Sequence, residues 1–142
     1  MDVFDSNGLM VGKLIGTAPF TTYYVWFAGD DVIWPLDSTS GTVTSITSQT
    51  FVYGEATCTT HLVETGGPGW GVFAKDSLRG PPIRPYAARG LPKPYDNFWI
   101  LTDTGCLNQQ RSGQAYAVTD LGGIPAHLAP LAVRPSGVPA LR

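Results

Sequence analysis

Charge is scarce in this chain. Asp, Glu, Lys and Arg make up 14% of 142 residues, against about 25% in an ordinary soluble domain. The net charge is −2, so the basic field that a nucleic-acid partner demands is missing. Cysteine and histidine number two each. That allows at most four ligands for a zinc site, at spacings that match no common pattern, and no metal or other cofactor is expected. No apolar run reaches the length of a membrane span. No window sustains a helical period, and the nearest, residues 121–133, is interrupted by Pro125 and Pro130. G-x-S-x-G, H-E-x-x-H and phosphate-binding loops are all absent, so no reaction class is signalled. Met1 is followed at once by Asp2, without the basic and apolar regions of a signal peptide. The expectation is a piece of a longer chain, or a protein that leaves the cell by another route, such as inside a virion.

Turn formers are abundant instead. Seventeen glycines and twelve prolines imply many turns and few helices. A chain of this length buries roughly 70% of its unfolded surface and suits one domain. The domain is expected over residues 1–133, with a flexible C-terminal tail over 134–142.

The first 36 residues read as two hairpins in tandem. Asn7-Gly8 marks the first turn, because both residues tolerate positive φ. Gly12, inside the following strand, suggests a bulge or a close backbone approach. Residues 21–27 (TTYYVWF) are all β-branched or aromatic. Tyr23, Val25 and Phe27 point to one face and Tyr24 and Trp26 to the other, so both faces want cover, from this chain or from another subunit. Residues 28–31 turn the chain, and Pro35 ends regular pairing or marks an edge. The pair Asp30-Asp31 has the composition of a glycosidase carboxylate pair, but adjacent acids in a hairpin turn are far more often solubilising.

Further strands are expected at residues 50–53, 59–64, 72–74, 97–102 and 114–118, giving an antiparallel β-sandwich or barrel with long Pro/Gly-rich loops. The hydroxyl-rich run 38–49 reads as a solvated edge strand, or as an exposed strand that binds glycan or packs in a fibre. Trp70 lies among glycines and offers either a sugar-stacking platform or a lid on the core. Residues 75–95 hold five prolines and the cations Arg79, Arg84, Arg89 and Lys93, with no acid between Asp76 and Asp96. Spaced prolines there imply an extended loop. It serves either as a basic contact for an anionic glycan or partner subunit, or as a plain surface crossover. Leu107 to Ser112 reads as a polar loop.

Cys58 and Cys106 each follow a strand. In an extracellular β-domain they most simply form one bridge; two free thiols would suit a particle assembled in the cytosol. A Cys58–His61 nucleophile–base pair is disfavoured, because a separation of three residues on a strand puts the two on opposite faces.

The opening V-F-D-S-N-G-x-x-V-G-x-x-I-G resembles the first hairpin of small β-rich domains in secreted bacterial and fibre-like proteins, collagen-like and tail-fibre proteins among them. The segment F-V-Y-G-E-A-T-C-T-T and the closing D-L-G-G-I-P-A-H-L-A-P-L-A-V resemble the same family, as scattered positions over residues 3–133. The chain departs from the pattern at Thr59-Thr60, where a glycine is expected after the cysteine. The resemblance implies a non-catalytic, surface-exposed module at the end of a fibre.

Two functions follow as expectations. The first is a structural or adhesive β-module of an extracellular fibre, surface appendage or virion. It is not an enzyme, and it forms a homo-oligomer with a trimer as first guess. The second is a carbohydrate-binding or glycan-processing domain that uses Trp70, Trp99 and the loop cations Arg79, Arg84, Arg89 and Lys93 for a surface glycan.

Overall fold

A computed structural model describes residues 1–19, 21–44, 48–65, 67–76, 83–124, 127 and 129–136. Thirteen strands and no helix are found among them. The chain divides into two compact units, Met1–Ile46 with Ile124–Arg142, and Thr47–Gly123. Each is built on one open sheet, so the all-β expectation holds and neither sheet closes into a barrel.

The first unit holds β1 (Asp2–Phe4), β2 (Met10–Ala18), β3 (Thr22–Phe27), β4 (Val32–Asp37) and β13 (Ala132–Arg134), in the order β13-β1-β2-β3-β4, all antiparallel. The β1–β2 connection is a hairpin, but not a two-residue Asn-Gly turn. Asn7 does not adopt positive φ; Gly8 does, at 80°. Gly8 N–H donates to the Asp5 carbonyl at 3.0 Å and Asp5 N–H to the Leu9 carbonyl at 2.9 Å. This is a three-residue loop that ends on a left-handed glycine. The Asp5 carboxylate selects it by accepting the N–H groups of Asn7 and Leu9.

Gly12 is where two backbones meet. A Cβ on it would stand 2.4 Å from the Trp26 carbonyl oxygen, so only glycine lets β2 approach β3 there. Along β3 and β4 the side chains alternate. Val25 and Phe27 face Trp34 and Val32 across the ladder, and all four are buried together with Leu36. β4 is an edge strand, as Pro35 requires. The C-terminal segment returns to this unit. Leu131 N–H donates to the Ser38 carbonyl at 2.7 Å, and β13 pairs with β1, Arg134 opposite Asp2. The Arg134 guanidinium stands 4.9 Å over the Phe4 ring, and the Ser136 hydroxyl donates to Asp2. Residues 134–136 are therefore held against β1, where a flexible tail was expected. Residues 137–142 lie outside the described residues.

The hydroxyl-rich run is not one strand. Residues 37–42 form a turn in which Asp37 N–H donates to the Thr42 carbonyl; among the described residues of the run, Val43 bridges to Leu36 and Gln49 pairs with Ala74, while 45–47 lie outside the described residues. Serine and threonine here cap backbone and the Asp37 carboxylate rather than pair in a ladder.

The second unit holds β5 (Gln49–Thr50), β6 (Val52–Tyr53), β7 (His61–Val63), β8 (Gly71–Lys75), β9 (Arg84–Tyr95), β10 (Trp99–Thr102), β11 (Gly105–Asn108) and β12 (Gly113–Asp120). Their order is β11-β10-β6-β7-β12-β9-β8-β5, antiparallel except for the β5–β8 pair. Leu107 and Asn108, expected in a loop, extend β11 against β10. Neighbouring residues of one strand serve opposite faces. Tyr53, Val63 and Ala88 belong to one buried cluster, and Val52, Leu62, Phe98 and Ala115 to another. Phe98 is wholly buried, a contribution of roughly 1.5–3 kcal/mol.

The largest correction is β9. Residues 84–95 are not an extended loop but a twelve-residue strand between β12 and β8. Each proline sits where a ladder needs no N–H from it. Pro85 is the second residue, and its carbonyl accepts the Leu121 N–H at 3.2 Å. Pro92 falls in a bulge, where residues 90–92 of β9 stand against Tyr116 alone. Pro94 lies beyond the end of the β8 pairing, which stops at Gly71–Ala87, so β9 has only β12 beside it there.

Candidate functional site

Residues 54–60 form a loop that three devices hold. Cys58 is bridged to Cys106 of β11, with Cα atoms 5.8 Å apart. The Glu55 carboxylate accepts the N–H groups of Thr59 and Thr60 at 2.8 and 2.7 Å, and the Thr60 bond in particular holds its pKa below the usual carboxylate range. Gly54 lies under the ring of Tyr95, with no room for a Cβ. Thr59-Thr60, where the resemblance called for a glycine, thus closes the turn through Glu55, while Cys58 itself takes positive φ, 51°.

The β9 bulge faces this loop. Arg89 pairs with Ala117 of β12 and Lys93 with Ala115. Residues 89–93 of β9 therefore span only residues 115–117 of β12, three residues standing against the single Tyr116. Gly90 makes this possible with φ of 70°. The result is an open groove of about 400 Å³ lined by Thr60, Leu62, Arg89, Gly90, Leu91, Lys93, Tyr95 and Ala117. Leu62 is buried at its floor, Arg89 and Tyr95 are half-buried, and Leu91 and Lys93 are exposed. Tyr95 is fixed from below by Gly54 and from the side by Phe98, ring centroids 5.8 Å apart. Phe98 is held in turn by the Arg111 guanidinium 5.0 Å above it, itself paired with Glu64.

Of the residues singled out in the sequence, the fold brings Arg89 and Lys93 together in this groove. Arg84 points elsewhere and pairs with Asp120 at 3.1 Å. Arg79 lies outside the described residues. Trp70 is half-buried and its backbone extends the β8–β9 ladder, with Ala88 N–H donating to its carbonyl at 3.0 Å. Asp31 accepts the indole N–H of Trp26 at 2.8 Å, a bond across its own hairpin turn. Tyr95, Thr60 and Leu62 were not legible as site residues. The contacts of Tyr95 with Gly54 and Phe98 set the ring in place, and the Gly54 contact, from a distant segment, is one that no local pattern encodes.

A second polar cluster lies on the other face. Asp76 Oδ1 receives the Tyr53 hydroxyl at 3.0 Å and meets His61 Nε2 at 2.6 Å. Phe51 packs edge-on to His61, with centroids 4.5 Å apart. Burial, and then the bond to Asp76, pushes the Tyr53 phenol well above its ordinary pKa. His61, Tyr86 and Asp120 line a shallower groove of about 300 Å³ there. With Cys58 in a disulfide, His61 has no thiol to activate.

Among the described residues no group of three or more His, Cys, Asp or Glu side chains could hold a metal ion, and no helix is long and apolar enough to cross a membrane. Comparison with protein-family models, curated proteins and solved structures returned no match.

Proposed function

We propose that this chain is a non-catalytic adhesive β-module that works outside the cell, on a fibre, a surface appendage or a virion. One observation carries the reading. The groove beside β9 combines two cations, a fixed tyrosine and an aliphatic floor, and no carboxylate, imidazole or thiol stands in its lining. The lining has neither the carboxylate pair of a glycosidase nor a histidine base beside a hydroxyl or thiol, which favours binding over reaction. The Cys58–Cys106 bridge supports an oxidising destination.

The module is proposed to act as a homo-oligomer, with a trimer as the first expectation. Met1, Leu9, Met10 and Ile15 in the first unit are all more than half exposed, and a second copy would cover them. Sedimentation at tens of micromolar tests this part; a clean monomer mass ends it and leaves the groove reading intact.

Lectin-like binding of carbohydrate is the second reading, favoured by the pairing of a fixed aromatic ring with hydrogen-bonding cations in one groove. A glycan array tests both readings. Retention of a glycan is the expected result. Release of a shortened product from any glycan would overturn the non-catalytic assignment.

A further inference from the structure

We infer that the outer edge of β11 is an interface for β11 of a second copy of this chain, paired antiparallel about a two-fold axis at Leu107. This rests on the homo-oligomer reading and names a surface for it in the second unit, separate from the exposed apolar residues of the first. An assembly that uses both contacts joins trimers in pairs.

Each sheet has two edges, and a bare edge is a template for another strand. In the first unit β4 is covered. Thr44 N–H donates to the Pro35 carbonyl and Asp37 N–H to the Thr42 carbonyl, both at 2.8 Å, and Val43 bridges Leu36. β13 is three residues long, ends on the charge of Arg134 and is followed by Pro135. In the second unit β5 has only two residues. The remaining edge is β11, four residues (GCLN) with neither a charge nor a proline, two of the devices that protect an edge.

The register fixes which backbone groups this edge offers. Gln109 N–H donates to the Phe98 carbonyl, so residues 98 and 109 are a hydrogen-bonded pair. Such pairs alternate along an antiparallel ladder. Ile100–Leu107 and Thr102–Gly105 are therefore hydrogen-bonded pairs, and Trp99–Asn108 and Leu101–Cys106 are not. The backbone N–H and C=O groups of Cys106 and Asn108 thus point away from β10. Among the described residues no other strand pairs with them.

Pairing with a second copy satisfies all of these groups. With Leu107 set opposite the same residue of the copy, Cys106 of each chain faces Asn108 of the other, and each such pair exchanges both of its bonds. Of the antiparallel registers, this one alone sets both outward residues against outward residues of β11. Leu107, 55% exposed, then meets its counterpart in the non-hydrogen-bonded position, where side chains stand closest. It shares a face with Ile100, which packs against the cluster of Val52, Leu62, Phe98 and Ala115, so the contact extends that core across the two-fold. The edge is ordered in advance by the ladder to β10 and the Cys58–Cys106 bridge, which lowers the cost of association. An unlike partner strand would match the backbone groups but not this self-complementary register.

The test combines amide hydrogen exchange and sedimentation of the full chain, at roughly millimolar concentration and after about hundredfold dilution. The Cys106 and Asn108 amides are expected to exchange at least about tenfold more slowly in the concentrated sample. The Leu107 amide, bonded to β10 in either state, is expected to stay unchanged. The mass is expected to be an even number of chains. Leu107→Lys sets two ammonium groups face to face and is expected to halve that mass with an unaltered circular dichroism spectrum. Should that variant fail to fold, the dilution series on the wild-type chain decides alone. Concentration-independent exchange at Cys106 and Asn108, an equal response at Leu107, an odd-numbered mass, or a Leu107→Lys variant of full mass each overturns the edge pairing. A trimer mass overturns this contact alone and leaves the apolar contact of the first unit standing; a monomer mass overturns both.

Discussion

Tyr95 rests on Gly54 so closely that a Cβ built on the glycine would stand 2.4 Å from ring atom Cε1 and 2.6 Å from Cδ1. The ring cannot yield freely, because Phe98 flanks it. Gly54→Ala is therefore expected to destabilise the fold by about 1–3 kcal/mol, the usual cost of overpacking. It should also tilt Tyr95 out of the groove. Urea unfolding measures the first effect and the Tyr95 ring chemical shifts the second; an unchanged ring environment would show that Gly54 does not set the platform.

The Cys58–Cys106 bridge closes a loop with a sequence separation of 48. Thiol titration of the unfolded, unreduced chain is expected to find no free thiols. The double variant Cys58→Ser, Cys106→Ser should lose about 4 kcal/mol on the chain-entropy estimate. It should also loosen residues 54–60, read as faster hydrogen exchange at Thr59 and Thr60, whose N–H groups now bond to Glu55.

Asp37 couples stability to acid. The Thr39 hydroxyl and N–H, the Ser40 N–H and the Thr21 hydroxyl all donate to its carboxylate and hold its pKa at about 2, below the ordinary 3.8. A carboxyl depressed in the folded state stabilises above the unfolded pKa, and that contribution is lost as pH falls from about 3.8 through about 2. Asp37→Asn is expected to lower the urea midpoint at neutral pH and to flatten the wild-type decline across that acid window. A parallel decline in both proteins would rule out Asp37 as its source.

Tyr53 donates its buried hydroxyl to Asp76. Tyr53→Phe leaves the carboxylate with one bond fewer and should cost about 1.5–3 kcal/mol, the range for hydrogen bonds to charged groups. Burial opposes its ionisation, and the bond to Asp76 adds to that. In a spectrophotometric titration of the folded chain, Tyr53 should be among the last tyrosines to ionise; loss of the high-pH step in Tyr53→Phe identifies it.

Local chemistry carried the strand content. Residues 21–27 suit a pleated surface, since β-branched and aromatic side chains fill both faces, and residues 22–27 form β3, an internal strand between β2 and β4. Gly12 announced a close approach and makes one, to Trp26. The cysteine bridge was one of two open readings, and pairing of β10 with β11 brings Cys106 within reach of Cys58. Prolines misled in β9. Pro85, Pro92 and Pro94 each lack an N–H, which in isolation argues against a strand. Whether that N–H is missed depends on what lies beside the residue, and sequence alone does not say that a bulge and the end of β8 fall at those points.

The candidate groove shows the same division. Composition put Arg89 and Lys93 in a cation-rich stretch without acids. Their separation was set by β12, because a bulge shortens a strand only against a partner, and that partner is Ala115–Ala117, some 25 residues downstream. Tyr95 joins them from the same strand, and Thr60 and Leu62 from a separate segment at the start of β7. What the sequence determined by itself is the β character, the turns and the charge inventory, all of which rest on side-chain shape and backbone freedom within a few residues. What only the tertiary structure decided is which of those charges share a groove with an aromatic ring. That depends on strand register, and register is a property of pairs of segments rather than of either one.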